Sequence, residues 1–208
     1  MFTEVKNKLA TALFDIGAIK FGAFRLKLHE KKPDAPLSPI YVDLRVLRSF
    51  PDAMDLAVDV YQELSSGLRF DVYADVPTAA TPIVAVLSHI TRIPMISPRK
   101  DEKQYGTKRR IDGVFTEGQT VLLIDDLITL ADSKLEAISV IEEHKLIVKD
   151  VLVLVDREQG GTRELEEHGY SCHVSLKLKA LLGFYVETAK INKDQYERTI
   201  SYLENASI

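Results

Sequence analysis

The sequence is poor in cysteine, in long apolar runs and in excess positive charge, and each absence narrows the class of protein. Cys172 is the only cysteine among 208 residues, which excludes an intrachain disulfide and a thiolate-rich zinc site. No apolar run approaches the ~20 residues that a bilayer-spanning helix needs. Asp and Glu number 31 against 27 Lys and Arg, and this balance argues against a general nucleic-acid binder.

Short motifs for metals, nucleotides and targeting are missing as well. The five histidines never fall in an HExxH or HxxxH pattern, and no GxxxxGK[ST] phosphate-binding motif occurs. The first twenty residues mix acidic and basic side chains, unlike a signal or transit peptide. With a hydrophobic fraction of 46%, the chain is expected to be a soluble globular protein of the cytoplasm.

Apolar periodicity predicts an α/β fold with a mostly parallel central sheet flanked by helices. Val121–Ile124 and Val151–Val155 are apolar throughout, as strands buried on both faces are. Further strands are predicted over 21–27, 40–44, 70–76, 93–96 and 170–176, and helices over 2–17, 51–67, 81–90, 133–145, 163–168 and near the carboxyl terminus. We expect one domain over 1–208, with an N-terminal hood at about 1–45 joined by C-terminal elements and a core at about 50–175.

The segment VLLIDDLITLADSKLEAI, residues 121–138, carries the main candidate site. A buried strand leads to Asp125 and Asp126, and a short loop from Leu127 to Asp132 then leads into a helix predicted to begin at Ser133. Free backbone N–H groups and the helix dipole at such a turn form a seat for a phosphate dianion. The two carboxylates beside it can hold sugar hydroxyls or a bound Mg2+. The alternative is a capped helix after a strand whose acids are merely solvated.

Three other strand exits carry unusual residues. RKDEKQYGTKRRIDG, residues 99–113, is a cationic segment suited to a lid, or else a solvated loop or hairpin. In VLVDREQGG, residues 153–161, Arg157 can pair with a ligand carboxylate or fix the turn through Asp156 or Glu158. In DVPTAATP, residues 75–82, small side chains let backbone amides approach a ligand, and Thr78 and Thr81 can cap the helix.

Together these segments resemble the orotate branch of the type I phosphoribosyltransferases. VLLIDDLITLADS resembles that family's phosphoribosyl-pyrophosphate signature, and RKDEKQYGTKR resembles its catalytic lid. FRLKL and SPIYVDLR resemble its base-binding hood, DVPTAATPI its middle strand exit, and VDREQGG its base-contacting turn. The match runs in the family's order over roughly residues 16–161, and the combination is far more specific than any single piece.

The resemblance implies that the chain transfers the phosphoribosyl group of phosphoribosyl-pyrophosphate to orotate, giving orotidine 5'-phosphate and pyrophosphate for UMP synthesis. The implied catalytic residues are Lys103, Asp125 and Asp126. The implied orotate contacts are Lys27, Tyr41, Thr129 and Arg157. The phosphoribosyl-pyrophosphate contacts are Arg99, Lys100, Lys103, Asp125, Asp126, Leu127, Ile128, Thr129, Leu130, Ala131, Asp132 and Ser133.

The same resemblance implies a Mg2+ cofactor held mainly through the substrate, without a direct protein ligand, and a homodimer whose lid is shared between subunits. Three departures from the family pattern stand out. The phosphate loop has Ala131 where Gly is common, and Asp132 inside this cradle must point away. The lid has Tyr105 where many bacterial members have His, so Tyr105 is given no acid–base role, and the hood has an insertion after Lys27. If position 131 needs a positive φ, Ala131 carries strain; a shifted loop is the alternative.

Three rival functions remain open for the same residues. One is a phosphoribosyltransferase for another base, and a second is a regulator that binds phosphoribosyl-pyrophosphate without turnover. A third is a subunit that acts only with a decarboxylase partner. No segment resembles a decarboxylase domain, and neither a nucleic-acid nor a membrane partner is expected.

Overall fold

The chain forms an N-terminal antiparallel hairpin and then alternates strands with helices. The structure is a computed structural model that describes residues 2–26, 28–99 and 110–205. The strands are β1 (Ile19–Phe24), β2 (Ser38–Val42), β3 (Val72–Asp75), β4 (Met95–Pro98), β5 (Ile111–Asp112), β6 (Thr120–Ile128), β7 (Ile147–Asp156) and β8 (Ser171–Lys177). The helices are α1 (Glu4–Asp15), α2 (Leu28–Lys31), α3 (Pro51–Ser65), α4 (Thr81–Thr91), α5 (Asp132–Glu143), α6 (Gly161–Glu167), α7 (Leu178–Glu187) and α8 (Lys193–Asn205), with a 3-10 helix at Leu44–Ser49.

The central sheet has six strands in the order β5-β4-β3-β6-β7-β8 and is parallel except for β5. Alternate residues of β6 bury against different layers, because successive side chains of a strand point to opposite faces. Leu122 and Ile124 pack in the cluster that contains α1 and α3, whereas Val121 and Leu123 pack in the cluster that contains α5. The predicted mostly parallel α/β fold is confirmed.

The strand order places a switch point between β3 and β6. From β3 the chain moves to β4 on one side, and it later returns to β6 on the other side of β3. Ligands of open α/β sheets bind in the crevice outside the carboxyl ends of strands at such a point. Asp75 ends β3, and the Asp125–Asp126 pair lies two residues before the end of β6, so these acids lie close to the expected crevice.

β6 and β7 are longer than predicted. β6 continues past its two acids, and pairing with β7 extends to Leu127 opposite Val155 and Ile128 opposite Asp156. The prediction that Leu127 begins a loop is therefore wrong, because ladder pairing to a neighbour outweighs the local preference of two acidic residues. The segment HEKKPDAPLSP, residues 29–39, which its three prolines predict to be a loop, begins within the helical turn α2. Just before this turn, the backbone N–H of Leu26 donates to His29 Nδ1 over 2.8 Å.

The hood consists of α1 and the β1–β2 hairpin, and it packs on C-terminal elements. Tyr185 of α7 donates its hydroxyl to the carbonyl of Ala10 in α1 over 2.8 Å. α8 packs against β2. These contacts bring the end of the chain to the face of the sheet that the hood covers. Within the described ranges, none of the helices has the length and apolar character needed to cross a bilayer.

Candidate active site

The two adjacent acids of β6 differ in burial, and their carboxyl groups are hydrogen-bonded to each other. Asp125 continues the alternation of Val121 and Leu123 toward α5, and it is 5% exposed. Asp126 continues the alternation of the hood-side residues and is half-buried. Tyr61 of α3 is fully buried on that hood side, and its hydroxyl donates to the backbone carbonyl of Asp125 over 2.6 Å. The backbone of the strand alternates between the two layers, while the hydrogen bond between the carboxyl groups keeps the two acids together at this edge.

Asp125 forms a buried ion pair with Lys134 of α5. The ammonium Nζ lies 2.5 Å from Asp125 Oδ2, and both side chains are almost fully buried. The backbone N–H of Asp126 donates to the other oxygen, Asp125 Oδ1, over 2.9 Å. Sequence reasoning missed Lys134, since a lysine in the first turn of a helix is normally solvated.

The Asp126 carboxyl group is harder to ionise than an ordinary aspartate. Burial raises its pKa to about 7, and the neighbouring charge of Asp125 adds to the shift. The charge of Lys134 opposes the shift only in part. Among the described residues Asp126 makes no ion pair, and its carboxyl group shares a hydrogen bond with that of Asp125.

The phosphate loop, residues 129–133, joins β6 to α5. Ala131 has φ −86° and ψ −6°, so this position does not require a glycine and the loop holds an alanine without backbone strain. Asp132 is exposed and opens α5, while Thr129 and Ser133 are half-buried. The N–H groups of Asp132 and Ser133 lie in the first helical turn, where the helix itself offers no acceptor. The loop therefore has the donors that a phosphate seat needs.

Helix α6 holds the phosphate loop through two hydrogen bonds. Gly161 N–H donates to the Thr129 carbonyl over 3.1 Å, and Glu164 Oε2 accepts from Ala131 N–H over 2.9 Å. A Cβ at position 161 would lie 2.9 Å from the carbonyl oxygen of Thr129 and 2.7 Å from Ile128 Cγ1. Gly161 is required by this close approach, and Gly160 by its φ of 102°. The sequence suggested only a tight turn here.

Arg157 is a buried guanidinium for which no counter-ion is found among the described residues. Its side chain is only 6% exposed, and within the described part of the chain Nε and Nη2 have no hydrogen-bond partner. Burial lowers its pKa from the ordinary value, while the neighbouring Tyr202 and Tyr41 oppose the shift. A buried positive charge without a hydrogen-bonded partner destabilises the fold unless an anion binds to it. The Arg157 guanidinium is therefore suited to bind the carboxylate of a ligand.

The turn around Arg157 is held by other side chains. Asp156 Oδ1 accepts from Glu158 N–H over 2.7 Å, and Asp156 Oδ2 accepts from the Thr162 hydroxyl over 2.9 Å. Glu158 Oε2 accepts from Lys179 N–H over 2.8 Å. The alternative in which the Arg157 side chain fixes the turn through Asp156 or Glu158 is not the arrangement found.

Tyr41 of the hood and Tyr202 of the C-terminal helix lie near Arg157. Tyr41 of β2 packs against Phe24 with ring centroids 5.6 Å apart, and its hydroxyl accepts from Arg45 Nη2 over 2.9 Å. Tyr202 of α8 acts electrostatically on Arg157, as Tyr41 does. Tyr202 was not predicted, because α8 lies far away in sequence. Lys27, predicted to line the base pocket, lies outside the described residues.

The strand exit after β3 differs from the prediction in one respect. Thr81 does not cap α4; its hydroxyl donates to the fully buried Asp75 carboxylate. Ala80 takes the N-cap position, and neither Thr78 nor Thr81 supplies a side-chain cap. The capping prediction is therefore wrong, because Ala80 takes the N-cap position and Thr81 already lies inside the helix.

The lid segment, residues 99–113, leaves and re-enters the sheet at neighbouring strands. β4 and β5 pair antiparallel, with Ser97 opposite Asp112, and Arg99 N–H donates to the Arg110 carbonyl over 2.8 Å. Arg99 Nε lies 3.1 Å from Asp112 Oδ2. Lys100 and Lys103 lie outside the described residues, so their predicted clamp on pyrophosphate stays a prediction.

A mostly parallel sheet with a phosphate loop at its switch point and an N-terminal hood is the architecture of type I phosphoribosyltransferases. Uridine monophosphate synthase of Leishmania donovani superposes with a TM-score of 0.85 at 32% identity, over 96% of this chain and 42% of that one. Orotate phosphoribosyltransferase of Aeropyrum pernix superposes with a TM-score of 0.75 at 27% identity, over 88% of this chain and 99% of that one. No protein-family profile matches the chain.

Two proteins of similar sequence are also named as an orotate phosphoribosyltransferase and a uridine monophosphate synthase. Orotate phosphoribosyltransferase of Caenorhabditis elegans is 32% identical over 193 residues, covering 92% of this chain and 82% of that protein. Uridine 5'-monophosphate synthase of Bos taurus is 35% identical over 205 residues, covering 97% of this chain and 42% of that protein. The chain belongs to the orotate phosphoribosyltransferase family, and it spans about two fifths of the length of the monophosphate synthases it matches.

Proposed function

We propose that the chain transfers the 5-phosphoribosyl group of phosphoribosyl-pyrophosphate to orotate, releasing pyrophosphate and forming orotidine 5'-phosphate. The observation that carries this proposal is the buried Arg157 guanidinium, whose Nε and Nη2 lack partners within the described ranges. Orotate differs from uracil by one carboxylate, and a planar guanidinium can bind that group through two parallel hydrogen bonds. Arg157 therefore favours a carboxylated base over uracil or a purine.

The 5'-phosphate would bind at the phosphate loop. The loop offers N–H groups in the first turn of α5, and α6 holds it in place through Gly161 and Glu164. Arg157 N–H donates to the Ile128 carbonyl over 2.9 Å, so the base turn is hydrogen-bonded to the last residue before the loop. This link fixes the distance between the sugar phosphate and the base, which supplies the proximity that a transfer reaction needs.

Catalysis would depend on charge around a sugar that becomes cationic as the bond to pyrophosphate breaks. Asp126 lies on the hood side of β6, where its carboxylate would stabilise the positive ring. The orotate anion supplies the electron pair of the new bond, and the electrons of the old bond leave with pyrophosphate. We expect Lys100 and Lys103 of the lid segment to neutralise the departing group, as the resemblance to the family implies.

Mg2+ is part of the proposal as a partner of the substrate. Within the described ranges no three His, Cys, Asp or Glu side chains form a group that could hold a metal, and Asp125 is already paired with Lys134. These residues fit an ion carried by pyrophosphate and ribose oxygens better than one held by carboxylates of the chain. When bound, Mg2+ would supply positive charge to the leaving pyrophosphate.

The proposal also includes a pathway, a decarboxylase partner and an oligomeric state. We place the reaction in UMP synthesis in the cytoplasm, upstream of a decarboxylase that acts on orotidine 5'-phosphate. The monophosphate synthases of similar sequence, more than twice as long as this chain, support such a partner. We also propose a homodimer with a shared lid, which sedimentation velocity would test.

Pyrophosphate release tests the function directly. The folded chain, phosphoribosyl-pyrophosphate and Mg2+ are mixed with orotate, uracil, adenine or no base. The proposal expects release with orotate and little release in the other three mixtures. Equal turnover of uracil would assign the chain to another base, and no release with any base would contradict the transferase function.

A further inference from the structure

The C-terminal helix α8 ends beside the turn that carries Arg157. The backbone N–H of Lys179, in the first turn of α7, donates to Glu158 Oε2 over 2.8 Å. The ammonium of the same lysine lies 3.8 Å from Glu204 Oε1, close to the end of α8. One residue of α7 therefore contacts both the neighbour of Arg157 and the last turn of α8. Along its length α8 also packs against β2, the strand that carries Tyr41.

Tyr202 is the aromatic residue of this last turn. Its side chain is half-buried against the hydrophobic cluster on the hood side of the sheet. Tyr202 and Tyr41 are the two groups whose electrostatic interaction with Arg157 opposes the lowering of its pKa by burial. Two phenol groups from separate elements thus lie near one buried guanidinium.

The surroundings of Arg157 are polar, but the nearest acids in sequence are engaged elsewhere. Asp156 accepts from the Thr162 hydroxyl and from a backbone N–H group, and Glu158 accepts from the backbone of α7. A phenol brings a hydroxyl and a flat ring, but no carboxylate. An ion pair formed in such buried surroundings is stronger than one in water. A carboxylate of the chain at this place would hold the guanidinium permanently, whereas a tyrosine leaves it available to a ligand.

We propose that Tyr202 is a specificity-determining residue of the base site: it encloses the Arg157 guanidinium together with Tyr41 and leaves it to the carboxylate of the base. This inference rests on the proposed function and deepens it, because it assigns a residue of the C-terminal helix to the recognition of orotate. α8 is then part of the base site as well as a support of the hood.

The variants Tyr202→Glu and Tyr202→Gln test this placement. The two new side chains have nearly the same size, so both variants lose the packing of the ring equally and differ in one negative charge. If position 202 lies beside Arg157, the carboxylate supplies the missing counter-ion. Without substrate, Tyr202→Glu should then melt about 3 °C or more above Tyr202→Gln. In the background of Arg157→Met the difference should disappear or reverse, because the new carboxylate has lost its partner.

Steady-state kinetics test the role in specificity. The carboxylate of Tyr202→Glu competes with that of orotate, so KM for orotate should be about 10-fold or more higher than in Tyr202→Gln. KM for phosphoribosyl-pyrophosphate should agree within about threefold between the two variants, since its phosphate binds at the other end of the site. Tyr196→Glu and Tyr196→Gln are the matched controls: Tyr196 is another half-buried tyrosine of α8, and these two variants should have the same KM for orotate.

The inference is overturned if the melting temperatures of Tyr202→Glu and Tyr202→Gln differ equally with and without Arg157, or if the two variants share one KM for orotate. It is also overturned if the Tyr196 pair shows the same rise, because charge anywhere on α8 would then explain the effect. Should the wild type release no pyrophosphate with orotate, the proposed function fails. The melting comparison needs no substrate, and it decides separately whether position 202 lies beside Arg157.

Discussion

The backbone N–H of Arg157 donates to the carbonyl oxygen of Ile128 over 2.9 Å, at the end of the ladder between β7 and β6. The residue that would bind the base is thereby joined to the residue that precedes the phosphate loop. Gly161 extends this contact, since its N–H donates to the Thr129 carbonyl. The base turn and the phosphate loop form one hydrogen-bonded unit. A substitution in either segment should therefore affect the conformation of the other.

Gly161→Ala should impair binding of phosphoribosyl-pyrophosphate. The new Cβ would lie under 3 Å from backbone atoms of Thr129 and Leu130, so the loop must shift. We expect KM for phosphoribosyl-pyrophosphate to rise about 10-fold or more and the free energy of unfolding to fall by about 1–3 kcal/mol. Steady-state kinetics and denaturant unfolding measure the two effects.

Gly183→Ala in α7 is the matched control. A Cβ at Gly183 would meet no atom within 4 Å, and alanine is the better helix former by about 1 kcal/mol. This variant should keep its kinetics and gain slight stability. If both alanine variants bind phosphoribosyl-pyrophosphate as the wild type does, α6 does not shape the loop.

Arg157→Met should weaken orotate binding selectively. Losing the guanidinium should raise KM for orotate about 30-fold or more and change KM for phosphoribosyl-pyrophosphate by no more than about threefold. The melting temperature should not fall, because the variant removes a buried charge whose Nε and Nη2 have no partner in the described ranges. Arg69→Met, at an exposed position, serves as the control. An unchanged KM for orotate would remove Arg157 from the base site.

The raised pKa of Asp126 predicts how stability varies with pH. Its pKa rises from 3.8 in the unfolded chain to about 7 in the folded one, so the folded state keeps a proton that the unfolded state loses. The stability that this group contributes is complete below the lower value and disappears as pH rises through 7. Asp126→Asn should therefore match the wild type near pH 4 and exceed its free energy of unfolding by about 2 kcal/mol at pH 8, allowing for partial exposure.

Denaturant titrations at both pH values check this difference. At pH 8 without ligand, the melting temperature of Asp126→Asn should also be higher than that of the wild type. A constant difference between Asp126→Asn and the wild type across the range would show that Asp126 does not titrate near neutral pH.

The sequence was sufficient to predict the mostly parallel sheet, and it pointed to the phosphate loop and Arg157, whose binding roles stay predictions. Each depends on local patterns: apolar strands, two acids before a loop, and an arginine followed by two glycines. The end of β6 was predicted too early because two aspartates resemble a strand end, while pairing with β7 carries the strand to Ile128.

Lys134 and Tyr202 could not be predicted by the same reasoning. The burial of Lys134 depends on Asp125 lying across from it on a neighbouring element, and a lysine in a first helical turn gives no sign of that. Tyr202 reaches Arg157 only because α8 packs against the hood. Both features depend on tertiary contacts between segments far apart in the chain or on different elements.

Calorimetric titration of the folded chain with phosphoribosyl-pyrophosphate and Mg2+ is the most direct test of the central claim, that the backbone after Asp126 forms a seat for a sugar phosphate. We expect saturable binding of one phosphoribosyl-pyrophosphate molecule per chain. The affinity should be lower in Gly161→Ala and unchanged in Gly183→Ala. A folded wild-type protein that gives no binding heat at several temperatures, and is not protected against heat unfolding by phosphoribosyl-pyrophosphate, would contradict it.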